Sequence, residues 1–377
     1  MIIFSVRSLL SAIYALTLSK NYKKTDVCFL IVHEGVKGLN LSALNCFIRK
    51  QGYDDVYDIN ILSAHYPSLN FFNKFKNKFL YLLSLKQALK KIPPKILERK
   101  VDSVFYCGGS AYRLPFNWSN APTYYYYEHG IGNTIHLVEK NMVFDNPKIS
   151  NWKVLKSFFK KTFNLFFFKI SGIYLINLGV YKDSFSLYDH ELNKLFLKNN
   201  YFNFRNIDSN QVRLFFDKYY HHLTDGSVLL SNLKGKSVDV FILPPLVDYM
   251  KMVVSSLSEI NLSGIALIKP HPSFYDDKSY LILKELLSKH YSEIIFLEDS
   301  AVPIEAVVNN LPTSDITVFG RFSTGLFNIS KMYKDVNVVI FLPKILESNS
   351  NLSSFPKITI NIIAKAFSDK IKMIYEK

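Results

Sequence analysis

Metal and disulfide chemistry are scarcely provided for in this chain. Its 377 residues hold three cysteines, Cys28, Cys46 and Cys107, an odd number without the paired spacing of a metal site. Cys28 and Cys107 lie in apolar runs and read as reduced thiols of a cytoplasmic protein, used as core residues. No stretch reaches the roughly 18 uninterrupted apolar residues that a membrane-spanning helix needs. The opening MIIFSVRSLLSAIYALTLSK has an arginine inside its apolar part and no small-residue cleavage site behind it. It is expected to form a strand over 1–6 and a helix from about Ser8, not a targeting segment. Acidic residues are also few: 31 Asp and Glu stand against 46 Lys and Arg, a net charge of +15. Such an excess favours an anionic partner, whether nucleic acid, an acidic lipid surface, or an acidic polymer or nucleotide. No recognised nucleic-acid-binding motif accompanies the charge, and no nucleic-acid partner is expected.

What is present is a globular composition, 49% hydrophobic and 20% charged, on a chain long enough for two domains. Short β-branched or aromatic runs alternate with amphipathic segments. VCFLIVH (27–33), VYDINIL (56–62), VDSVFYCG (101–108) and PTYYYYE (122–128) read as strands, with helices at 38–51 and 72–91. The register returns in VDVFILPP (238–245), GIALIKPHP (264–272), SEIIFLED (292–299), DITVFG (315–320) and NVVIFLP (337–343), with helices near 247–259, 277–290, 303–310 and 324–333. Strands apolar on both faces and separated by helices imply parallel sheets covered on two sides. The expected fold is therefore α/β: two consecutive Rossmann-type domains facing each other across a cleft. The first is expected over 1–231 and the second over 238–356, joined by SNLKGKS (231–237). An amphipathic helix over 357–377 is expected to pack back on the first domain.

One segment stands apart. NWKVLKSFFKKTFNLFFFK (151–169) has five lysines, no acid and a run of phenylalanines. Wound as a helix, it puts Lys153, Lys156, Lys160 and Lys161 on one side and Leu155, Phe159, Phe163 and Phe166 on the other. It is either a core helix with a wet basic face or an amphipathic helix lying in an anionic membrane interface.

Open parallel sheets bind ligands beyond the carboxyl ends of their strands, so the residues just past each strand carry the information. Three stretches stand out: EHG (128–130), KPHP (269–272) and FGRFSTG (319–325). In the first, Gly130 and Gly132 allow close backbone approach. A carboxylate at Glu128, partly desolvated behind four tyrosines, suits proton abstraction. In the second, Pro270 and Pro272 hold Lys269 and His271 extended, which suits a histidine assisting a leaving phosphate oxygen. In the third, Gly320 is followed by Ser323 and Thr324 at a helix start, where hydroxyls and backbone N–H groups form an anion site or an ordinary N-cap. Between the last two, Glu305 opens a short apolar helix, either as a dipole partner or as a ligand for ribose hydroxyls.

Together Glu128-His129-Gly130, His271-Pro272 and Ser323-Thr324 resemble the bacterial sialyltransferases and polysialyltransferases of the two-domain (GT-B) type. Those carry an acidic pair and glycine in the first domain, then His-Pro and a later Ser-Ser or Ser-Thr in the second. The resemblance follows motif order over most of the chain. It departs where His129 replaces the second acid, and Asp248 is the alternative base. It implies an inverting, metal-independent transfer of sialic acid from CMP-sialic acid to a bacterial surface glycan. The acceptor would be capsular polysialic acid or lipooligosaccharide, anionic or galactose-terminated. On this pattern Glu128 is the base, His271 assists departure of CMP, Ser323 and Thr324 hold its phosphate, and Glu305 contacts the ribose. No cofactor is implied, and the sequence has no Asp-x-Asp triplet. The positive charge suits acidic acceptors and peripheral association with the inner membrane. Other readings are a related transferase with another activated donor, such as CMP-Kdo or a glycerophosphate donor, and a non-catalytic polyanion- or membrane-binding protein.

Overall fold

The computed structural model describes residues 1–33, 41–60, 87–107, 113–115, 123–127, 173–175, 184–196, 203–223, 232–242, 247–260, 262–269, 277–297, 302–321, 323–342, 367 and 371–375. The basic aromatic segment 151–169 and most of the expected helix 72–91 lie outside them. The chain divides into two compact units, Met1–Ile207 and Asp208–Lys377.

In the first unit, strand β1 (Ile2–Val6) leads into helix α1 (Leu9–Ser19), as the opening residues imply. Every residue of β1 is buried. Ser8 caps the helix through a reciprocal box with Ser11, satisfying backbone donors that would otherwise be orphaned. Strand β2 (Val27–His33), helix α2 (Leu41–Lys50), strand β3 (Val56–Asn60), the short helix α3 (Pro94–Leu97) and strand β4 (Ser103–Cys107) follow. Strands β5 (Arg113–Pro115) and β7 (Ile173–Leu175) form a separate antiparallel pair. Strand β6 (Thr123–Tyr127), strand β8 (Ser184–Ser186), helix α4 (Asp189–Phe196) and strand β9 (Phe204–Asn206) complete the unit. The main sheet runs β3-β2-β1-β4-β6-β8-β9, and every pairing in it is parallel. A row of rings fixes its register. Phe29, Phe4, Phe105 and Tyr125 stand side by side on four neighbouring strands, with successive centroids 5.5, 4.5 and 4.7 Å apart. Each such pair adds about 0.5–1.5 kcal/mol beyond the area it buries, and a one-residue slip would lose them all.

The second unit begins with helix α5 (Ser209–Leu223), so its start lies upstream of the boundary expected at 231. The cause is polar. On α5, Arg213 donates to Asn309 (2.7 Å) and stacks over Tyr333, while Asp217 accepts from Asn309 (3.0 Å). There follow β10 (Val238–Ile242), α6 (Val247–Ser256), β11 (Ile265–Ile268), α7 (Asp277–Leu287) and β12 (Glu293–Phe296). Then come α8 (Ile304–Asn310), β13 (Ile316–Gly320), α9 (Thr324–Met332), β14 (Val336–Leu342) and β15 (Lys372–Tyr375). The sheet order is β12-β11-β10-β13-β14-β15, again with parallel pairings throughout. Counted within the unit this is 3-2-1-4-5-6, the doubly wound dinucleotide-fold order. The α/β class and the pair of parallel-sheet units therefore stand as expected. The terminal helix does not extend through 372–375. Those residues form β15 on the edge beside β14, with Lys372 exposed and Ile374 buried.

Asp239, 2% exposed in the middle of β10's sheet, accepts from the Ser263 N–H (2.9 Å) and the Tyr291 hydroxyl (2.8 Å). Burial raises its pKa above the ordinary carboxylate value, against the pull of those two donors. A raised native pKa means stability that is full below the unfolded value and is lost as pH rises through the native one. Asp239→Asn should thus gain on the wild type as pH climbs out of the acid range, as measured by urea unfolding at several pH values. Tyr291→Phe should cost about 1–3 kcal/mol at neutral pH by removing a donor from a buried carboxylate. Equal pH dependence in wild type and Asp239→Asn would exclude this account.

Candidate active site

The strand order of the second sheet reverses between β10 and β13, and a crevice opens beyond the carboxyl ends of strands at such a point. Gly320 ends β13 there. A Cβ on it would stand 2.9 Å from the Ile242 carbonyl oxygen at the end of β10 and 2.9 Å from Leu326 Cδ1. Only glycine lets the strand end and α9 close on β10 so tightly. Gly325 does the same one turn on: its Cβ would meet Ile304 at 2.9 Å and lie 3.7 Å from Glu305 Oε1. The two glycines draw α8, α9 and the two central strands to one spot.

Glu305, 6% exposed in the first turn of α8, presses its carboxylate against the start of α9. Its Oε1 accepts from Asn328 Nδ2 at 2.7 Å, and the Tyr333 hydroxyl donates to its carbonyl at 3.0 Å. Burial raises the carboxyl's pKa. The Asn328 bond, its own backbone N–H and the charge of Lys269 pull the other way. Lys269 is itself 3% exposed, just past β11, with its N–H on the Phe241 carbonyl at 2.9 Å. A buried acid and a buried base thus stand within electrostatic reach beside the first turn of α9. Ser323 is the N-cap of α9 in extended conformation (φ −144°, ψ 152°) and makes no side-chain capping bond. Ser323 and Thr324 are both half-buried. The first-turn N–H groups and two hydroxyls together offer donors to an anion.

The structure therefore gathers Lys269, Glu305, Gly320, Ser323 and Thr324 at the carboxyl edge of one sheet. Asp248 lies on the same edge, exposed in the first turn of α6. Pro270, His271 and Pro272 lie outside the described residues, as do Glu128, His129 and Gly130. The strand before Glu128 is well anchored: the Tyr127 hydroxyl donates to the Ser5 carbonyl at 2.5 Å, and the Cys107 thiol reaches the same oxygen at 3.4 Å.

Two contributors escaped the sequence. Asn328, fully buried in α9, orients Glu305, and an amide at i+4 from Thr324 on an apolar face was the available signal. Arg321, exposed beside Gly320, sits over the Tyr249 ring at 5.6 Å, and the Tyr249 hydroxyl is tied to the Phe341 carbonyl at 2.9 Å. That props a guanidinium at the same edge, which no local pattern foretells. Among the described residues no group of three His, Cys, Asp or Glu side chains is placed to hold a metal ion, and no helix is long and apolar enough to cross a membrane.

No protein-family model matches the chain, and no curated protein matches it in sequence. Solved structures do resemble it in chain trace. MurG from Acinetobacter baumannii is 10% identical with a TM-score of 0.42, covering 99% of this chain and 85% of its own. TcCGT1 in complex with UDP is 10% identical with a TM-score of 0.48, over 99% and 85%. The UDP-GlcNAc 2-epimerase of Methanocaldococcus jannaschii is 11% identical with a TM-score of 0.44, over 100% and 88%. Likeness of chain trace at such identity does not define a substrate.

Proposed function

We propose that this protein is an inverting, metal-independent glycosyltransferase that moves sialic acid from CMP-sialic acid to a bacterial surface glycan. The observation that carries the reading is the convergence at the switch point of the second sheet. Lys269, Glu305 and the Ser323–Thr324 helix start meet at one carboxyl edge, the last two in the order of the resembled enzymes. Such an edge suits a nucleotide: N–H groups and hydroxyls for the phosphate, and a carboxylate for the ribose diol.

Glu128 takes the proton of the acceptor hydroxyl as that oxygen attacks the anomeric carbon. The bond to CMP breaks with inversion, and His271 donates toward the departing phosphate oxygen. Ser323 and Thr324 hold that phosphate, and Lys269 and Arg321 add positive charge on its side. Glu305, steadied by Asn328, accepts from the ribose hydroxyls. Charge rises on the leaving phosphate only as the bond breaks, so donors aimed there act chiefly on the transition state. The enzyme works in the cytoplasm, where the net charge of +15 favours acidic acceptors and the anionic inner-membrane face.

Four measurements bear on this. His271→Ala should lower turnover by at least about 10²-fold with CMP binding retained. Glu128→Gln should likewise abolish transfer and spare binding. Collapse in Asp248→Asn with an active Glu128→Gln would move the base to the second unit. Transfer should persist in excess EDTA, and loss restored by magnesium or manganese would overturn the mechanism. Finally, CMP affinity followed by calorimetry should fall as pH drops through the raised pKa of Glu305, above the usual carboxylate range. Glu305→Gln should bind CMP more weakly and lose that inflection. An unchanged inflection in the variant would remove Glu305 from the site.

A further inference from the structure

On the opposite, amino-terminal edge of the second sheet lies a cavity of about 540 Å³. It is bounded by the last turn of α9 and the loop beyond it, the starts of β13 and β14, and the first residue of β15. Three lysines stand on its walls. Lys331 and Lys334 come from the helix end, and Lys372 comes from β15 on the other side. Among the described residues no carboxylate lines it. Hydrogen-bonding groups with no charge line it as well: the Thr317 and Ser330 hydroxyls and the Asn337 amide. Thr317 and Asn337 are partners in the β13–β14 register, so they face the same side of the sheet. Lys372 is the partner of Val339, two residues along β14 from Asn337, and joins that side.

Parallel α/β sheets place their reaction sites at the other edge, and nothing in the proposed mechanism uses these residues. Cations on two walls, with neutral donors and acceptors beside them, suit a ligand bearing separated negative charges and many hydroxyls. A recess also suits a chain or ring better than a flat bilayer, whose anionic surface is met by protruding groups. We propose that this recess is a second binding site, for an acidic oligosaccharide: carboxylates pair with Lys334 and Lys372, and sugar hydroxyls with Asn337 and Thr317. The proposal does not depend on the catalytic reading.

The test is calorimetric titration of the full-length protein at low salt with a hexamer of galacturonic acid, a carboxylated chain foreign to the proposed reaction. Lys334 and Lys372 are exposed, so Lys334→Gln with Lys372→Gln should leave the thermal melt unchanged. The double variant should bind the hexamer about 10-fold more weakly, each exposed ion pair being a modest contributor. The same charge change at the exposed Lys251 and Lys289 should alter binding less than twofold, on the same footing. Neutral maltohexaose should not bind. The proposal is overturned if the wild type fails to bind the hexamer, if maltohexaose binds as well, or if the two variant pairs weaken it equally. It is also overturned if the lysines prove necessary only for sedimentation with anionic phosphatidylglycerol vesicles, which would make this edge a membrane contact.

Discussion

The second unit depends on β13 lying directly against β10. That pairing reverses the order in which strands are added, so the helices after β10 and β13 leave the sheet on opposite faces and a crevice opens between their starts. Closing the pair to van der Waals distance requires glycine at 320, because a methyl group there would overlap the Ile242 carbonyl. From that contact follow the position of Ser323, the approach of α9 to α8, and the burial of Glu305. Backbone geometry thus sets the electrostatics: the carboxylate is desolvated because two helices have no side chain to keep them apart.

Buried charge in this unit is handled in two ways. Asp239, deep in the sheet, is given a hydroxyl and an amide and serves packing. Glu305 is given one amide, its own N–H and a lysine at the edge where ligands bind. Both are held above their ordinary pKa by burial. What separates them is location, since only Glu305 stands at the carboxyl edge, where open parallel sheets take their ligands.

The strands were legible because parallel strands covered on both faces are written as unbroken apolar runs. β1, β2, β4, β13 and β14 all begin and end within two residues of expectation. The polar residues directly beyond those runs were legible for the same reason, and so Lys269, Glu305, Ser323 and Thr324 could be named. What could not be read were choices made by tertiary contact. An amphipathic helix such as α5 could bury its apolar stripe against either neighbouring sheet, and the residues that receive it, among them Asn309 and Tyr333, lie far downstream in sequence. A four-residue edge strand such as β15 is too short to show a period against a helical background. Arg321 and Tyr249 are far apart in sequence, and nothing local links them.

The allegiance of α5 has a consequence for synthesis. Its partner Asn309 lies 96 residues downstream of Arg213, so at ordinary translation rates the helix leaves the ribosome roughly 5–20 s before the surface that receives it exists. Throughout that interval Phe215, Phe216, Tyr219 and Tyr220, all buried in the finished unit, have no sheet of their own to cover them. The nascent chain therefore passes through a stage in which a completed first unit trails a greasy helix that belongs to something not yet made. That is the stage at which a chaperone would have the most to hold.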